Sequence, residues 1–313
     1  MGIYIFRRMV SAIVVMAMVG VFVFLLLRFA PGDPAAIIAG DNATPQMIAG
    51  IRERLGLNKP LPVQFMHWAL SMLGGDFGSS IFTGRPVLQL LSQRLEPTVS
   101  LSILTWILSV TMGVSFGILA AWRAGGSIDR ALTVFAAVGF SVPVFVVGYF
   151  LVYFFAISTR WLPVQGYQPI ANGVGPWLVH LILPTAALSV PFIAFIARIT
   201  RASMLEVLSE DYMRTAAAKG ASPYAMLFHH ALKNAGVPIL TVVGLSFAYL
   251  ISGVVLTETV FNVPGVGRLV VDAINSRDYP IIQSVLILTS GLYVLINLAV
   301  DLAYTLIDPR IRY

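Results

Sequence analysis

The sequence predicts an all-α, polytopic membrane protein with six transmembrane helices, and three observations carry that prediction. Hydrophobic residues fill 58% of the 313 positions and charged residues only 11%, against roughly a quarter charged in ordinary soluble domains. Six charge-free runs, 9–27, 97–122, 131–159, 161–197, 234–257 and 279–300, are long enough to cross a bilayer, which takes about 20 apolar residues of helix. The alternating segments of about ten residues that mark an outer-membrane barrel are absent, and a helical bundle is the remaining way to pair every backbone group in lipid. The chain has no cysteine, which excludes disulfides and thiolate-held metals. Its net charge of +6 speaks to topology rather than to nucleic acid.

Residues 1–8 are a short N-terminal segment carrying Arg7 and Arg8, and 9–29 form the first span. Its 19 charge-free residues exceed the roughly 7–15 of a signal-peptide core, so the N-terminus is expected to stay in the cytoplasm. Phe6 stands where a myristoylation signal wants Ser or Thr. Ala30-Pro31-Gly32-Asp33-Pro34 cannot continue a helix and opens an external loop, 30–97. Within it Thr44-Pro45-Gln46 reads as a helix start and Leu55-Gly56-Leu57-Asn58-Lys59-Pro60 as its stop. A second amphipathic piece, 63–73, ends at Gly74-Gly75-Asp76-Phe77-Gly78. A loop this long is a structural cap or a partner-binding element.

The core, 98–304, follows. Pro143 is expected to kink the third span, and Pro184 and Pro191 the fourth, freeing carbonyls that can face a cavity or serve structure alone. The series Thr98, Ser100, Ser102, Thr105, Ser109, Thr111, Ser115 reads as helix-packing glue. A Pro-, Gly-, Gln- and Asn-rich stretch, 159–175, is the other substantial external segment. Glu258, at the outer end of the fifth span, is a candidate for the pathway or gate or for the interface, because an ionisable group there must be paired or wet. Asp301 reads as a structural contact with a helix end or an arginine. Residues 305–313 form the C-terminus.

Arg7, Arg8, Arg123, Arg130, Arg198, Arg201, Arg214, Lys219, Lys233, Arg310 and Arg312 all fall on one side of a six-span bundle, which makes that side cytoplasmic. The opposite short loops hold only Arg160, Arg268 and Arg277. On the cationic side lies a polar, helix-forming island, 211–223, within the segment 201–234. Ser209-Glu210-Asp211 offers caps and acidic first-turn residues, Gly220 a left-handed stop, and Ser222-Pro223 the cap and first position of a second helix. Two short helices therefore meet at an elbow. Small residues at Ala216, Ala217, Ala218, Gly220 and Ala221 permit close approach of another backbone, with Arg214 and Lys219 at the rim. The competing reading is an amphipathic helix lying on lipid headgroups. Adjacent His229 and His230 lie about 100° apart on a helix and make poor joint metal ligands. Gly244-Leu245-Ser246-Phe247 is followed by no histidine, which argues against a hydrolase. No Gly-x-x-x-x-Gly-Lys-Ser/Thr loop occurs, so any ATP must be handled by another protein.

The elbow resembles the cytoplasmic coupling motif of ABC-importer permeases, Glu-Ala-Ala, three residues, Gly, nine residues, Ile-x-Leu-Pro. Ala216, Gly220 and Leu232 match, whereas Arg214 and Thr215 replace Glu-Ala, and His230 and Lys233 replace Ile and Pro. Those departures resemble the dipeptide/oligopeptide permease variant, Arg-Thr-Ala-x-Ala-Lys-Gly followed by His-Ala-Leu-x-Asn, here His230-Ala231-Leu232-Lys233-Asn234. The likeness extends through Pro31-Gly32-Asp33-Pro34, 55–60, Gly75-Asp76-Phe77-Gly78-Ser79-Ser80, Glu258 to Arg268, and 297–301 with 308–312. It implies the type I importer permease fold and a non-catalytic subunit, the first of two homologous permeases. It further implies two cytoplasmic ATPases that hold ATP and Mg, and an external substrate-binding protein. Asp211, Arg214, Ala216, Ala218, Lys219, Gly220, Ala221 and Ser222 are the expected ATPase-coupling residues, and Glu258, Ser141 and Pro143 the expected pathway or gate. Peptide is the expected cargo, with glutathione or a chelated nickel as relatives' alternatives. A stand-alone secondary transporter would show ionisable groups near mid-membrane and inverted repeats, and neither is evident.

Overall fold

Most of each long apolar run becomes helix in the computed structural model, which describes residues 2–29, 34–39, 44–54 and 56–307, although the run 161–197 enters its long helix only at Val174. The expected turn at 30–34 (save Pro34), Leu55, and the C-terminal motif with Arg310 and Arg312 lie outside the described residues. Among the described residues, apart from a short 3-10 turn at Ile170–Asn172, the helices follow in order: α1 (Gly2–Arg28), α2 (Pro34–Ala39), α3 (Pro45–Arg54), α4 (Leu61–Leu73), α5 (Val87–Trp122), α6 (Ser127–Ser141), α7 (Val144–Ser158), α8 (Val174–Leu208), α9 (Asp211–Ala218), α10 (Pro223–Asn234), α11 (Gly236–Val260), α12 (Val266–Ser276) and α13 (Tyr279–Ile307). Among the described residues the extended pairing is a single bridge, Ser79 to Pro86. Four helices among the described residues are long and apolar enough to cross a bilayer, and up to six crossings result if each bent pair, α6 with α7 and α10 with α11, is one span.

The bends have local causes. Helices α6 and α7 meet at 105°, because Pro143 has no N–H to donate and Val142 before it is driven to an extended conformation, with ψ 125°. Pro184 and Pro191, by contrast, sit inside an unbroken α8. Helix α5 starts at Val87 and carries Pro97 within it, so it begins inside the segment assigned above to the external loop.

Contacts divide the chain into two units, 1–95 with 268–294 and 96–267 with 295–313. In the first, Phe24 of α1 is buried and packs edge-on against Phe65 of α4 at 5.4 Å and beside Trp68 at 5.7 Å. Thr44 caps α3 as expected, accepting from the Met47 N–H at 3.3 Å, and Gly56 stops it at φ +64°. Buried Asp278 accepts from Ser80 Oγ at 2.5 Å and from the Ile81 N–H at 3.2 Å, while Ser284 Oγ donates to Phe77 O at 3.1 Å. The Gly75–Ser80 motif is thereby tied to the start of α13.

In the second unit α8 is the hub, packed against α6, α7 and α11. Gly113 and Gly117 of α5 sit against Ile196 and Thr200 of α8 so closely that a Cβ on either would collide with them, the small-residue contact that lets membrane helices approach. Of the hydroxyl series, Ser102, Thr105 and Ser109 are buried, whereas Thr111 and Ser115 face outward. Helix α12 was not expected from the sequence. Val266, Gly267, Leu269 and Ala273 are its buried positions, a one-face stripe too short and too interrupted by charge to register as a span.

Candidate functional site

The elbow forms as its sequence dictates. Helix α9 closes through a Schellman motif: Gly220 at φ +85° donates to Ala217 O at 3.0 Å, and Ala221 donates to Ala216 O at 3.1 Å. Ser222 Oγ then accepts from the Ala225 N–H at 3.2 Å, with Pro223 at the first position of α10. At the other end the expected side-chain cap is missing, since Glu210 occupies the cap position without a side-chain bond and Ser209 Oγ donates back to Glu206 O.

One large apolar side chain fastens α9. Met213 is 1% exposed and sits in a cluster with Ile118, Ala121, Met204, Leu227, Ala231, Ala235 and Ile239, so the elbow is seated on the ends of α5, α8 and α11. The Asn234 amide donates to the Tyr212 hydroxyl at 2.7 Å and ties α10 back to α9. Met213 points inward, so that side chain is not available to lie on lipid. Asp211, Arg214, Ala218, Lys219, Gly220 and Ser222 are exposed, and Ala216 and Ala221 half-buried. Arg214 and Asp211 pair at 3.6 Å with both side chains in solvent, a contact of little energy. The sequence reading overlooked Tyr224 and Phe228, two exposed rings 4.6 Å apart on α10, which extend the same surface.

The pathway candidates are not brought together. Glu258 is 0% exposed. Its Oε1 accepts from Thr98 Oγ1 at 2.5 Å, and Thr98 Oγ1 accepts in turn from the Val266 N–H at 2.8 Å. A Cβ on Gly265 or Gly267 would collide with the carboxylate, so those glycines make room for it. Glu258 thus fixes the turn from α11 into α12 and has no surface facing a lumen in this conformation. Ser141 is exposed beside the α6–α7 break, its hydroxyl donating to Ala137 O at 2.8 Å, and Pro143 is exposed at the break itself.

The stretch 159–175 is held on the start of α5. Glu96 accepts from Tyr167 OH at 2.9 Å and from the Ile170 N–H at 2.8 Å, and Trp177 donates to Ser100 Oγ at 3.2 Å. Burial, with Glu96 alongside, raises the Tyr167 phenol above its ordinary value, so it stays the donor at neutral pH.

Several membrane-length helices, with an elbow seated on the ends of α5, α8 and α11, are the build of a membrane transport subunit. The chain belongs to the family described as "Binding-protein-dependent transport system inner membrane component", which matches residues 113–313, with that family's N-terminal counterpart matching 1–102. It is 79% identical over 313 residues, 100% of both chains, to the Sinorhizobium fredii protein named "Probable peptide ABC transporter permease protein y4tP". It is 43% identical over 311 residues, 99% of each chain, to the "Glutathione transport system permease protein GsiC" of Salmonella typhimurium. Its fold is similar to a chain of the MetNI methionine ABC transporter in an inward-facing conformation, with TM-score 0.59 and 17% identity over 71% of this chain and 97% of that one. The protein is a permease subunit of an ABC importer in the inner membrane.

Proposed function

We propose that this permease forms half of a peptide-translocation pathway and that the α9–α10 elbow is where a cytoplasmic ATPase drives it. The observation that carries the reading is the elbow itself: small side chains and an exposed aromatic pair are presented outward, while Met213 locks the same helix to the ends of α5, α8 and α11. A pull on such a surface is delivered to the spans. In this reading the cation-rich end and both termini are cytoplasmic, a second homologous permease supplies the other half of the pathway, two ATPases hold ATP and Mg, and an external binding protein delivers cargo. Asp211, Arg214, Ala216, Ala218, Lys219, Gly220, Ala221 and Ser222 form the docking face. Ser141 and Pro143, at the 105° break, are the gate candidates, with Glu258 as the lock of the neighbouring turn rather than a pathway wall.

The test is gentle purification of the tagged chain from its native membrane, followed by ATP-hydrolysis assays with candidate binding proteins loaded with peptide. Recovery of a second permease and ATPases with peptide-stimulated turnover is the expected result. A chain recovered alone that transports in liposomes overturns the proposal in favour of a secondary carrier. The similarity to the glutathione permease favours one second reading, a glutathione-sized cargo, and the same assay run with glutathione-loaded binding protein separates the two.

A further inference from the structure

A groove of about 360 Å³ opens between α5, α6 and α8, within the range of about 300–1,000 Å³ usual for small-ligand sites. Its walls are Phe116 and Ala120 of α5, Leu132 and Ala136 of α6, and Ala194 and Phe195 of α8, and Arg198 and Arg201 also line it. The two arginines are differently committed. Arg201 is held by buried Asp129 through Nε–Oδ1 at 2.6 Å and Nη2–Oδ2 at 2.8 Å, so its charge is neutralised and its head fixed. Arg198 is exposed, forms no ion pair among the described residues, and lies over the Phe140 ring at 5.6 Å. A fixed guanidinium and an uncompensated one thus share one wall of a slot that is otherwise apolar apart from the hydroxyls of Thr133 and Ser141.

Depth decides what such a slot meets. Arg198 stands about 36 Å along α8 from Val174 at 1.5 Å per residue, beyond a hydrocarbon core of roughly 30 Å. At the end of α5, Trp122 is 52% exposed with Arg123 stacked on it at 5.2 Å, the aromatic and cationic pairing of a membrane interface. Phe140, which lines the groove, is itself exposed, as are Val134 and Val138 of the same helix. The charges therefore lie at headgroup level and the apolar slot is continuous with an apolar face.

We propose that this groove binds one anionic phospholipid, its phosphate on Arg198 with the free edge of the Arg201 guanidinium, and an acyl chain in the slot. Basic pockets between membrane helices are suited to such headgroups. A peptide is the poorer occupant: it brings amide groups that cost free energy wherever they go unpaired, and the slot meets them mainly with alanine, leucine and phenylalanine, while its two hydroxyls are already engaged, Thr133 with Asp129 and Ser141 Oγ with Ala137 O. The proposal rests on the reading of the chain as a membrane permease but not on its cargo or on the elbow, so lipid retention and ATPase coupling succeed or fail separately.

The test is native mass spectrometry of the intact importer, purified from bilayers of phosphatidylcholine with phosphatidylglycerol and stripped stepwise with detergent. Arg198→Gln is expected to lower retained phosphatidylglycerol about five-fold, the loss of one charge–phosphate contact, whereas Arg198→Lys keeps most of it and Arg130→Gln, on exposed surface, changes nothing. A photo-crosslinker in place of Ala136 is expected to label lipid. Excess inorganic phosphate is expected to leave the lipid in place, since it offers nothing to the slot. Equal retention in Arg198→Gln, displacement by phosphate alone, or a crosslink to the second permease instead of lipid would each overturn the proposal. Peptide-stimulated ATP turnover, measured on the same variants, reports independently on the importer.

Discussion

Replacing Gly220 by valine isolates the conformational basis of the elbow. Gly220 adopts φ +85°, and a Cβ built on it meets no atom within 4 Å, so the first side-chain carbon finds open space. The cost of the substitution is the left-handed backbone, about 1–2 kcal/mol for an ordinary side chain and more for a β-branched one, while asparagine tolerates that region. A penalty of that size lowers the ratio of native to non-native elbow by roughly 5–30-fold, and apparent affinity for a partner that selects the elbow falls by up to that factor. The assay is co-purification of the ATPases with the variant chain and binding-protein-stimulated ATP turnover in proteoliposomes, with membrane content of the chain as control. Gly220→Val should insert normally and lose most association; Gly220→Asn should retain most of it. Wild-type assembly and turnover by Gly220→Val would refute the argument. Equal damage from Asn and Val would place the effect in side-chain bulk at the interface instead of in the turn.

Other perturbations test separate contacts. Met213→Ala empties a fully buried position and should cost about 2–5 kcal/mol, seen as faster proteolytic nicking around 209–222 while the spans stay protected. Gly265→Ala drives a methyl into the Glu258 carboxylate and should destabilise by about 1–3 kcal/mol, read as a lower melting temperature in detergent, with Glu258→Gln, which keeps an acceptor for Thr98, milder than Glu258→Leu. Asp129→Ala strands the Arg201 guanidinium. Since that side chain is 33% exposed, the loss should fall below the roughly 3–5 kcal/mol of a fully buried pair, again measured by thermal unfolding.

The elbow was the most legible part of the sequence because its signals are local. Gly220, Ser222 and Pro223 each specify one backbone conformation through residue type alone, and each adopts it. The same holds for Pro143, whose break follows from a missing N–H. Prolines 184 and 191 obey the same chemistry yet stay within a continuous helix, because α8 is packed on several sides and tertiary contacts hold it there. Glu258 could not be placed from its position at a span end. Its role depends on Thr98, far away in sequence, and on two glycines that read as turn residues when seen alone. Tyr224 and Phe228 went unnoticed because aromatic residues in a chain this apolar carry no signal until exposure singles them out. The Gly113–Gly117 pair was missed among many small residues for the same reason.

That glycine pair has a mechanical consequence. Where α5 meets α8 at Gly113 and Gly117, one partner is bare backbone, so on that side no rotamer can flip to absorb displacement and the two helices cannot ratchet past each other by swapping side chains. The cluster around Met213 grips both helices a turn or so beyond that point. Strain applied at the elbow therefore has no soft joint to dissipate in along this seam; the breaks in the helices of this unit lie elsewhere, at the proline between α6 and α7 and at the 65° bend between α10 and α11.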